Sequence, residues 1–162
     1  MNELRVIFDE MGFDVDTVRF PQAAALYALA KLYTLTAKDL AAVYKRFGLT
    51  ITSFNLLMLV KHGKDRDADT QQALSDKLIV TESDTTKVID RLEHRGLVRR
   101  MPGKDRRSKL LTITPKGSHL LDEVWPHHVE AMEHLAKAIQ PHDAKVLADI
   151  LVRLRRVRGA PS

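Results

Sequence analysis

The chain has 162 residues, of which 44% are hydrophobic and 29% are charged, and its formal net charge at pH 7 is +5. This composition suits one globular domain, or two lobes that share helices. The chain has no cysteine, which excludes a disulfide framework and a zinc finger with thiolate ligands. No segment approaches the roughly 20 apolar residues that a membrane-spanning helix needs, and the first residues do not resemble a signal peptide, so we expect a cytoplasmic protein.

The first predicted helix is short and lies in an apolar N-terminal arm. Residues 2 to 11 place Leu4, Ile7 and Phe8 on one side, and the helix ends at Gly12. Apolar residues continue up to Pro21, so this arm needs a surface that covers it. Two surfaces are equally good candidates to cover it: that of a second subunit and that of the rest of the same chain.

Two longer helices are predicted next. Residues 22 to 47 are rich in Ala and Leu at helical spacing and are stopped by Gly48, while the competing side chains at 34 to 36 favour a break or bend. The following helix has alternative N-caps at Thr50 and Thr52 and ends at Gly63.

A helix-turn-helix pattern follows a charged loop at residues 64 to 69. The first helix of the pattern is predicted at 70 to 78 and begins with a capping box between Asp69 and Gln72. The second, at 82 to 95, is capped by Thr81 and stopped by Gly96. In the second helix one stripe is suited to a core and the opposite face is polar. The core stripe is Thr85, Val88, Ile89 and Leu92, and the polar face carries Ser83, Lys87, Asp90, Arg91 and His94.

A basic β-hairpin is predicted directly after this helix. Its strands are residues 97 to 101 and 109 to 113, and the turn formers and charges at 102 to 107 form an exposed tip. Between Lys87 and Lys116 ten basic residues face three acidic ones, a net charge of +7 that exceeds the charge of the whole chain. Such a concentration of positive charge is typical of a surface that contacts phosphates.

Two helices complete the chain. The first is predicted at 115 to 139, with Pro126 expected to kink or split it. The second, at 142 to 158, carries an apolar seam suited to another helix, made of Val146 or Leu147 with Ile150, Leu151, Leu154 and Val157.

Three strings of residues together resemble the MarR family of bacterial winged helix-turn-helix transcription regulators. They are the segment from Val88 to Arg100, the triplet Asp105-Arg106-Arg107, and the segment from Leu111 to Gly117. With the flanking helices the resemblance covers about residues 22 to 158. It implies a mainly α fold, in which a winged helix-turn-helix lobe with a small antiparallel hairpin is joined to a helical dimerisation lobe. The expected parts are an N-terminal dimerisation part at 1–48, a DNA-binding lobe at 49–114, and a C-terminal dimerisation part at 115–162.

The residues expected to contact DNA lie in the second helix of the motif and in the hairpin. A recognition helix enters the major groove by its N-terminal half, which selects Ser83, Thr86 and Lys87 as base or phosphate contacts, with Arg91 further along. By resemblance, Asp105 orients an arginine of the wing tip, and either Arg106 or Arg107 enters the minor groove. Lys104, Arg99 and Arg100 are then phosphate or structural contacts. The acidic residues at the start of the reading helix depart from a typical basic reading helix.

The sequence also offers candidate residues for a small-ligand site and for a metal site. Members of this family commonly bind a small, often anionic aromatic effector between the two lobes, and the candidate lining residues here are Tyr27, Tyr33, His62 and Trp125. A line of possible zinc ligands, Glu123, His127, Glu130 and His134, follows one helical face, although such a line is more often the polar face of a surface helix.

We therefore predict a homodimeric regulator, expected to be a repressor, that reads a pseudo-palindromic site in double-stranded DNA and requires no cofactor. A zinc-responsive regulator and a winged-helix module for protein or RNA contact are the alternatives. An enzyme is excluded because the chain has no glycine-rich phosphate loop and no nucleophile elbow.

Overall fold

The structure, a computed structural model, describes residues 3–12, 19–63, 71–78, 82–102 and 109–159. It contains seven helices and one two-stranded sheet within these ranges. They are α1 (Glu3–Glu10), α2 (Pro21–Lys45), α3 (Ile51–His62), α4 (Gln71–Lys77), α5 (Glu82–His94), β1 (Val98–Pro102), β2 (Lys109–Ile113), α6 (Pro115–Ala136) and α7 (Pro141–Gly159). The mainly helical fold with a small hairpin, predicted from the sequence, is confirmed. Among the described helices, none combines the length and apolar character that crossing a membrane would take.

Helix α1 folds back on its own chain. Phe8 is only 1% exposed, and its ring meets the ring of Tyr27 edge-on with centroids 6.1 Å apart. Gly12 follows the helix with φ at +72°, a left-handed conformation that glycine adopts without strain. Phe8 of the N-terminal arm is thus covered by the same chain, whereas Val6 of the same helix is 45% exposed.

Helix α2 runs without interruption, so the predicted break at residues 34 to 36 is wrong. The hydroxyl of Thr34 donates a hydrogen bond of 2.9 Å to the carbonyl oxygen of Ala30, and Thr36 donates one of the same length to Leu32. These hydroxyls bond within the helix instead of competing with it, because each reaches the carbonyl one turn back.

Helix α3 begins after Thr50, as one of the two predicted N-caps requires. The backbone N–H of Ser53 donates to Thr50 Oγ1 at 3.1 Å, which satisfies one of the donors that a helix start leaves free. The predicted capping box between Asp69 and Gln72 lies outside the described residues and side chains.

Helix α5 and the hairpin follow the predicted boundaries closely. Thr85, Val88, Ile89 and Leu92 are all buried, as the predicted core stripe requires. Gly96, with φ at +69°, stops the helix. Strands β1 and β2 then pair antiparallel, with Val98 opposite Ile113 and Pro102 opposite Lys109.

The core of the first part of the chain lies between α2, α3, α4, α5, the hairpin and the start of α6. Tyr44 and Phe54 stack with ring centroids 4.4 Å apart at its centre. Burial raises the pKa of Tyr44 to about 12, because the phenolate would lose its hydration there. Aliphatic side chains complete this core, among them Leu56, Leu57, Leu74, Ile89, Leu92, Leu97, Leu111 and Leu121.

The chain divides into two compact units, residues 1–124 and 125–162. Helix α6 contributes to both and passes through Pro126 as one helix, so the predicted split at this proline is wrong. The second unit is otherwise α7. The predicted division at residues 48 and 114 concerns dimerisation and stays a prediction.

Candidate nucleic-acid interface

The outer face of α5 is polar and exposed. Lys87, Asp90, Arg91 and His94 are all exposed, and Thr86 is half-buried. Lys87 Nζ lies 3.7 Å from Asp84 Oδ1, and Arg91 Nε donates to the carbonyl oxygen of Lys87 at 3.2 Å. Ser83 lies in the first turn of the same helix, and its side chain lies outside the description. The predicted reading residues Thr86, Lys87 and Arg91 are thus together on one helix.

The inner face of α5 is anchored on α4 by a buried polar contact as well as by the core. Thr85 is fully buried, and its hydroxyl donates to Ser75 Oγ at 3.2 Å. This hydrogen bond joins the two helices of the helix-turn-helix inside the core, where a buried hydroxyl group needs a partner. This contact fixes the orientation of α5 relative to α4, and with it the direction in which the outer face of α5 points.

Arg100 on β1 connects the hairpin to α5. Its Nη2 lies 2.5 Å from Asp90 Oδ1, its Nη1 donates to Glu93 Oε2, and its backbone N–H donates to Glu93 Oε1 at 3.0 Å. Burial by itself lowers the pKa of Arg100, but the hydrogen bonds and charges of the two carboxylates together raise it above its ordinary value. The guanidinium thus forms charge-assisted hydrogen bonds with two acids of the reading helix.

Arg99, one residue earlier on β1, is arranged differently. It is exposed, and its Nε donates to Thr112 Oγ1 across the hairpin at 3.3 Å. Its charge is therefore available on the surface, unlike that of Arg100. The other predicted wing residues, Lys104, Asp105, Arg106 and Arg107, lie outside the described residues.

The C-terminal end of α5 is tied to α2 and α6. Arg95 Nη1 donates to the carbonyl oxygen of Gly48 at 2.5 Å, and Nη2 donates to that of Phe47 at 3.2 Å. Both carbonyls lie in the turn that follows α2, so this cation is also placed near the negative end of that helix dipole. From the other side, Lys116 Nζ donates to the carbonyl oxygen of Arg95 at 2.9 Å. From the sequence, Arg95 and Lys116 are expected only to add positive charge, and their hydrogen bonds to backbone carbonyls are not predicted.

A cleft of about 460 Å³ opens between α2, α3 and α4. Tyr33 and His62, two of the four predicted effector residues, line it. Its other lining residues are Ile51, Thr52, Asn55, Met58, Leu59, Gly63, Lys77 and Leu78. The cleft thus combines an aromatic ring and aliphatic walls with an amide, an imidazole and an ammonium group, as pockets for small polar aromatics do.

The prediction missed two polar residues of this cleft, Thr52 and Asn55. Their spacing places them on the same face of α3 as the predicted His62. The other two predicted effector residues lie elsewhere. Tyr27 contacts Phe8, and Trp125, in the second unit, has its ring centroid 5.2 Å from that of His128.

Three of the four predicted zinc ligands, Glu123, His127 and Glu130, lie in two separate pairs along α6. Glu123 Oε1 lies 3.1 Å from His119 Nε2, and His127 Nδ1 lies 3.9 Å from Glu130 Oε2. Across the described part of the chain, no group of three or more His, Cys, Asp or Glu side chains is placed to hold a metal ion. The zinc-responsive alternative gains no support from this arrangement.

Sequence comparisons identify relatives of the same kind. A model of the MarR family matches residues 47–108. The HTH-type transcriptional regulator YkoM of Bacillus subtilis is 31% identical over 108 residues, which cover 66% of this chain and 68% of that protein. The HTH-type transcriptional regulator MhqR of the same organism is 28% identical over 110 residues, 67% of this chain and 74% of that protein.

Structural comparisons agree on the fold. The MarR family regulator AbsC of Streptomyces coelicolor superposes with a TM-score of 0.78 at 24% identity, covering 91% of this chain and 99% of that one. Sco3205 from the same organism, solved in complex with DNA, superposes with a TM-score of 0.76 at 24% identity, covering 85% and 87%. CouR of Rhodococcus jostii RHA1, bound to p-coumaroyl-CoA, gives a TM-score of 0.66 at 22% identity, covering 77% and 86%. From the matched family model, the relatives and the winged helix-turn-helix built by α4, α5 and the hairpin, the chain belongs to the MarR family of DNA-binding transcriptional regulators.

Proposed function

We propose that two copies of this chain form a homodimer that binds a pseudo-palindromic operator in double-stranded DNA and acts as a cytoplasmic repressor. The observation that carries the proposal is the exposed outer face of α5, which presents Lys87 and Arg91, together with the exposed Arg99 on the strand that follows this helix. A helix with this face fits the major groove, and the adjoining hairpin reaches the flanking minor groove. The complex of Sco3205 with DNA supports this use of the fold.

The apolar surface that α2 and α7 leave uncovered supports the proposed dimer. In α7, the predicted seam from Val146 to Val157 is exposed at every position, and Val157 reaches 76%. In α2, Leu26, Leu32 and Tyr33 are each at least half exposed. Monomeric proteins rarely leave this much apolar surface in contact with water, and an operator with two-fold symmetry requires a two-fold protein. With two reading helices, the half-sites would be separated by roughly 34–36 Å or a multiple of it.

Removing the cations of the reading helix tests the proposal. Lys87→Ala with Arg91→Ala should weaken binding to the operator by roughly 1–3 kcal/mol for each base-specific interaction that the substitutions remove, and should reduce the salt dependence of binding. The operator can be selected from a pool of random duplexes and the affinity measured by fluorescence anisotropy. Lys38→Ala with Lys45→Ala, which removes the same charge from exposed positions on α2, is the matched control. Equal losses in the two variants would show that the effect comes from net charge alone. Unchanged affinity of the Lys87→Ala, Arg91→Ala variant would refute the proposal that this face of α5 contacts DNA.

The second part of the proposal is that a small anionic aromatic effector binds in the cleft and changes the affinity for DNA. Lys77 and His62 can contact a carboxylate, while Met58 and Tyr33 can contact a ring. The p-coumaroyl-CoA bound by CouR supports an aromatic ligand in this fold. A ligand that binds one conformation of the regulator better than another shifts the population by that difference in affinity.

A thermal-shift screen of aromatic carboxylates tests the cleft. A true ligand at 100 times its Kd should add about 2.7 kcal/mol to the free energy of unfolding. Lys77→Gln with His62→Gln should remove that shift, whereas Lys38→Gln with His142→Gln, which changes the same residue types at exposed positions that do not line the cleft, should leave it intact. A shift that survives the first pair of substitutions would place the ligand elsewhere.

A further inference from the structure

Two of the four carboxylates on the reading helix lie in its C-terminal half and oppose its proposed function. Asp90 and Glu93 lie on α5 with side chains 59% and 36% exposed. A carboxylate close to a phosphate backbone repels it, because water screens the interaction only partly at short range. A nearby cation must therefore compensate for these negative charges if α5 is to enter a groove of the duplex.

Arg100 is placed to do so. Each of its two terminal nitrogens contacts one of the two carboxylates, through Nη2 to Asp90 and through Nη1 to Glu93. Its side chain is only 22% exposed, whereas that of Lys87 is 68% exposed. Two of its five N–H groups donate to these carboxylates, and the two negative charges beside the guanidinium weaken its attraction for a phosphate.

We propose that Arg100 is a positioning residue that strengthens DNA binding through Asp90 and Glu93, by cancelling their charges, and does not itself contact a phosphate. The inference rests on the proposed function as a DNA-binding regulator. It gives Arg100 and Arg99 different roles, because the charge of Arg99 is exposed and available to contact the duplex. It also explains how a reading helix with acidic residues on its outer face can remain compatible with DNA.

Two other roles would place the same atoms in the same positions, and they make different predictions. If Arg100 contacts a phosphate, its removal costs the same whether or not the two acids are present. If the triad only clamps the hairpin to the helix, removing the acids harms binding as much as removing the arginine. If the acids are the reason that Arg100 is needed, the cost of removing it disappears once the acids are neutral.

The experiment is a double-mutant cycle on DNA affinity, with a selected operator duplex and a random-sequence 30-bp duplex as probes. Arg100→Gln should weaken binding about 10-fold in the wild-type background and less than about 3-fold in the Asp90→Asn, Glu93→Gln background. The background variant by itself should bind DNA as tightly as the wild type, or more tightly. Arg100→Lys, which keeps the charge, should stay within about 3-fold of the wild type.

Asp84→Asn supplies the matched control background. Asp84 is an exposed acid on the same helix whose carboxylate lies near Lys87 rather than Arg100. In this background Arg100→Gln should keep its full cost of about 10-fold, because the two acids that need it are still charged. Thermal unfolding of each variant keeps a loss of folding separate from a loss of DNA binding, and the Arg100→Lys result remains informative if Arg100→Gln unfolds.

Each outcome has a defined meaning. An equal cost of Arg100→Gln in all three backgrounds would identify a phosphate contact and overturn the inference. An Asp90→Asn, Glu93→Gln variant that binds as weakly as Arg100→Gln would identify a clamp and overturn it too, as would an Arg100→Gln variant with unchanged affinity. A wild-type protein that binds neither duplex would instead refute the proposed function itself.

Discussion

Gly117 shows how the absence of one side chain decides where α6 can begin. The residue is buried in the first turn of the helix, and its N–H donates to Thr114 Oγ1 at 3.0 Å. The same threonine hydroxyl donates to the carbonyl oxygen of Gly96 at 2.7 Å. A Cβ at position 117 would collide with the backbone carbonyl of Leu97 and would meet Cγ1 of Ile113 at 3.0 Å. The start of α6 can therefore lie directly on the junction between α5 and β1 only if this position has no side chain.

Gly117→Ala should consequently destabilise the protein, although the same change in an ordinary helix position stabilises by about 1 kcal/mol. Backbone cannot move aside as a flexible side chain can, so we expect a net loss of roughly 1–3 kcal/mol in the free energy of unfolding, typical of overpacking. Chemical denaturation measures it. Ser118→Ala, at the next position of the same turn, is the control and should change stability by no more than about 0.5 kcal/mol. A Gly117→Ala variant that is more stable than the wild type would show that α6 is not seated on Leu97.

At the scale of elements, helical periodicity was sufficient to predict α5, its buried stripe and its end at Gly96. The stripe is decided by local spacing, and the helix end by a residue that adopts a left-handed conformation without strain, so neither depends on distant contacts. The break predicted in α2 was wrong because Thr34 and Thr36 bond to carbonyls one turn back. The split predicted in α6 was wrong because the helix continues through Pro126 despite the hydrogen bond that a proline removes.

The candidate site could be predicted from the sequence only where its residues lie on a single helix. The outer face of α5 could be predicted because Lys87 and Arg91 lie on the same helix as the core stripe. The contact of Arg100 with Asp90 and Glu93 could not, because it joins a strand to a helix across a turn and depends on how the two pack. The cleft likewise brings residues of α2, α3 and α4 together, and no spacing within one helix indicates that Tyr33 and Lys77 line the same cavity.

At the scale of the whole molecule, the apolar surface is unevenly distributed. The first unit has a closed core, in which Leu56, Leu57 and Leu74 are fully buried. In the second unit, α7 has no buried residue among those described, although its seam is as apolar as the stripe of α5. A helix of this kind gains little stability from its own chain, since most helical stability comes from packing an apolar face. The proposed dimer would supply that packing.

Replacing Leu147 and Leu154 by Glu should therefore disrupt the dimer. Both leucines lie in the exposed seam of α7, and a carboxylate buried between two subunits would lose its hydration without gaining a partner. Light scattering coupled to gel filtration should show the wild type at twice the mass of the chain and the variant at the mass of one chain. Operator affinity should fall with it, because one reading head holds only one half-site. The control is Lys145→Gln with Arg156→Gln, which changes the net charge by the same amount on the opposite face of the helix and should remain dimeric. A wild-type protein that is monomeric at micromolar concentration, or a dimer that survives both glutamates, would contradict the role proposed for α7.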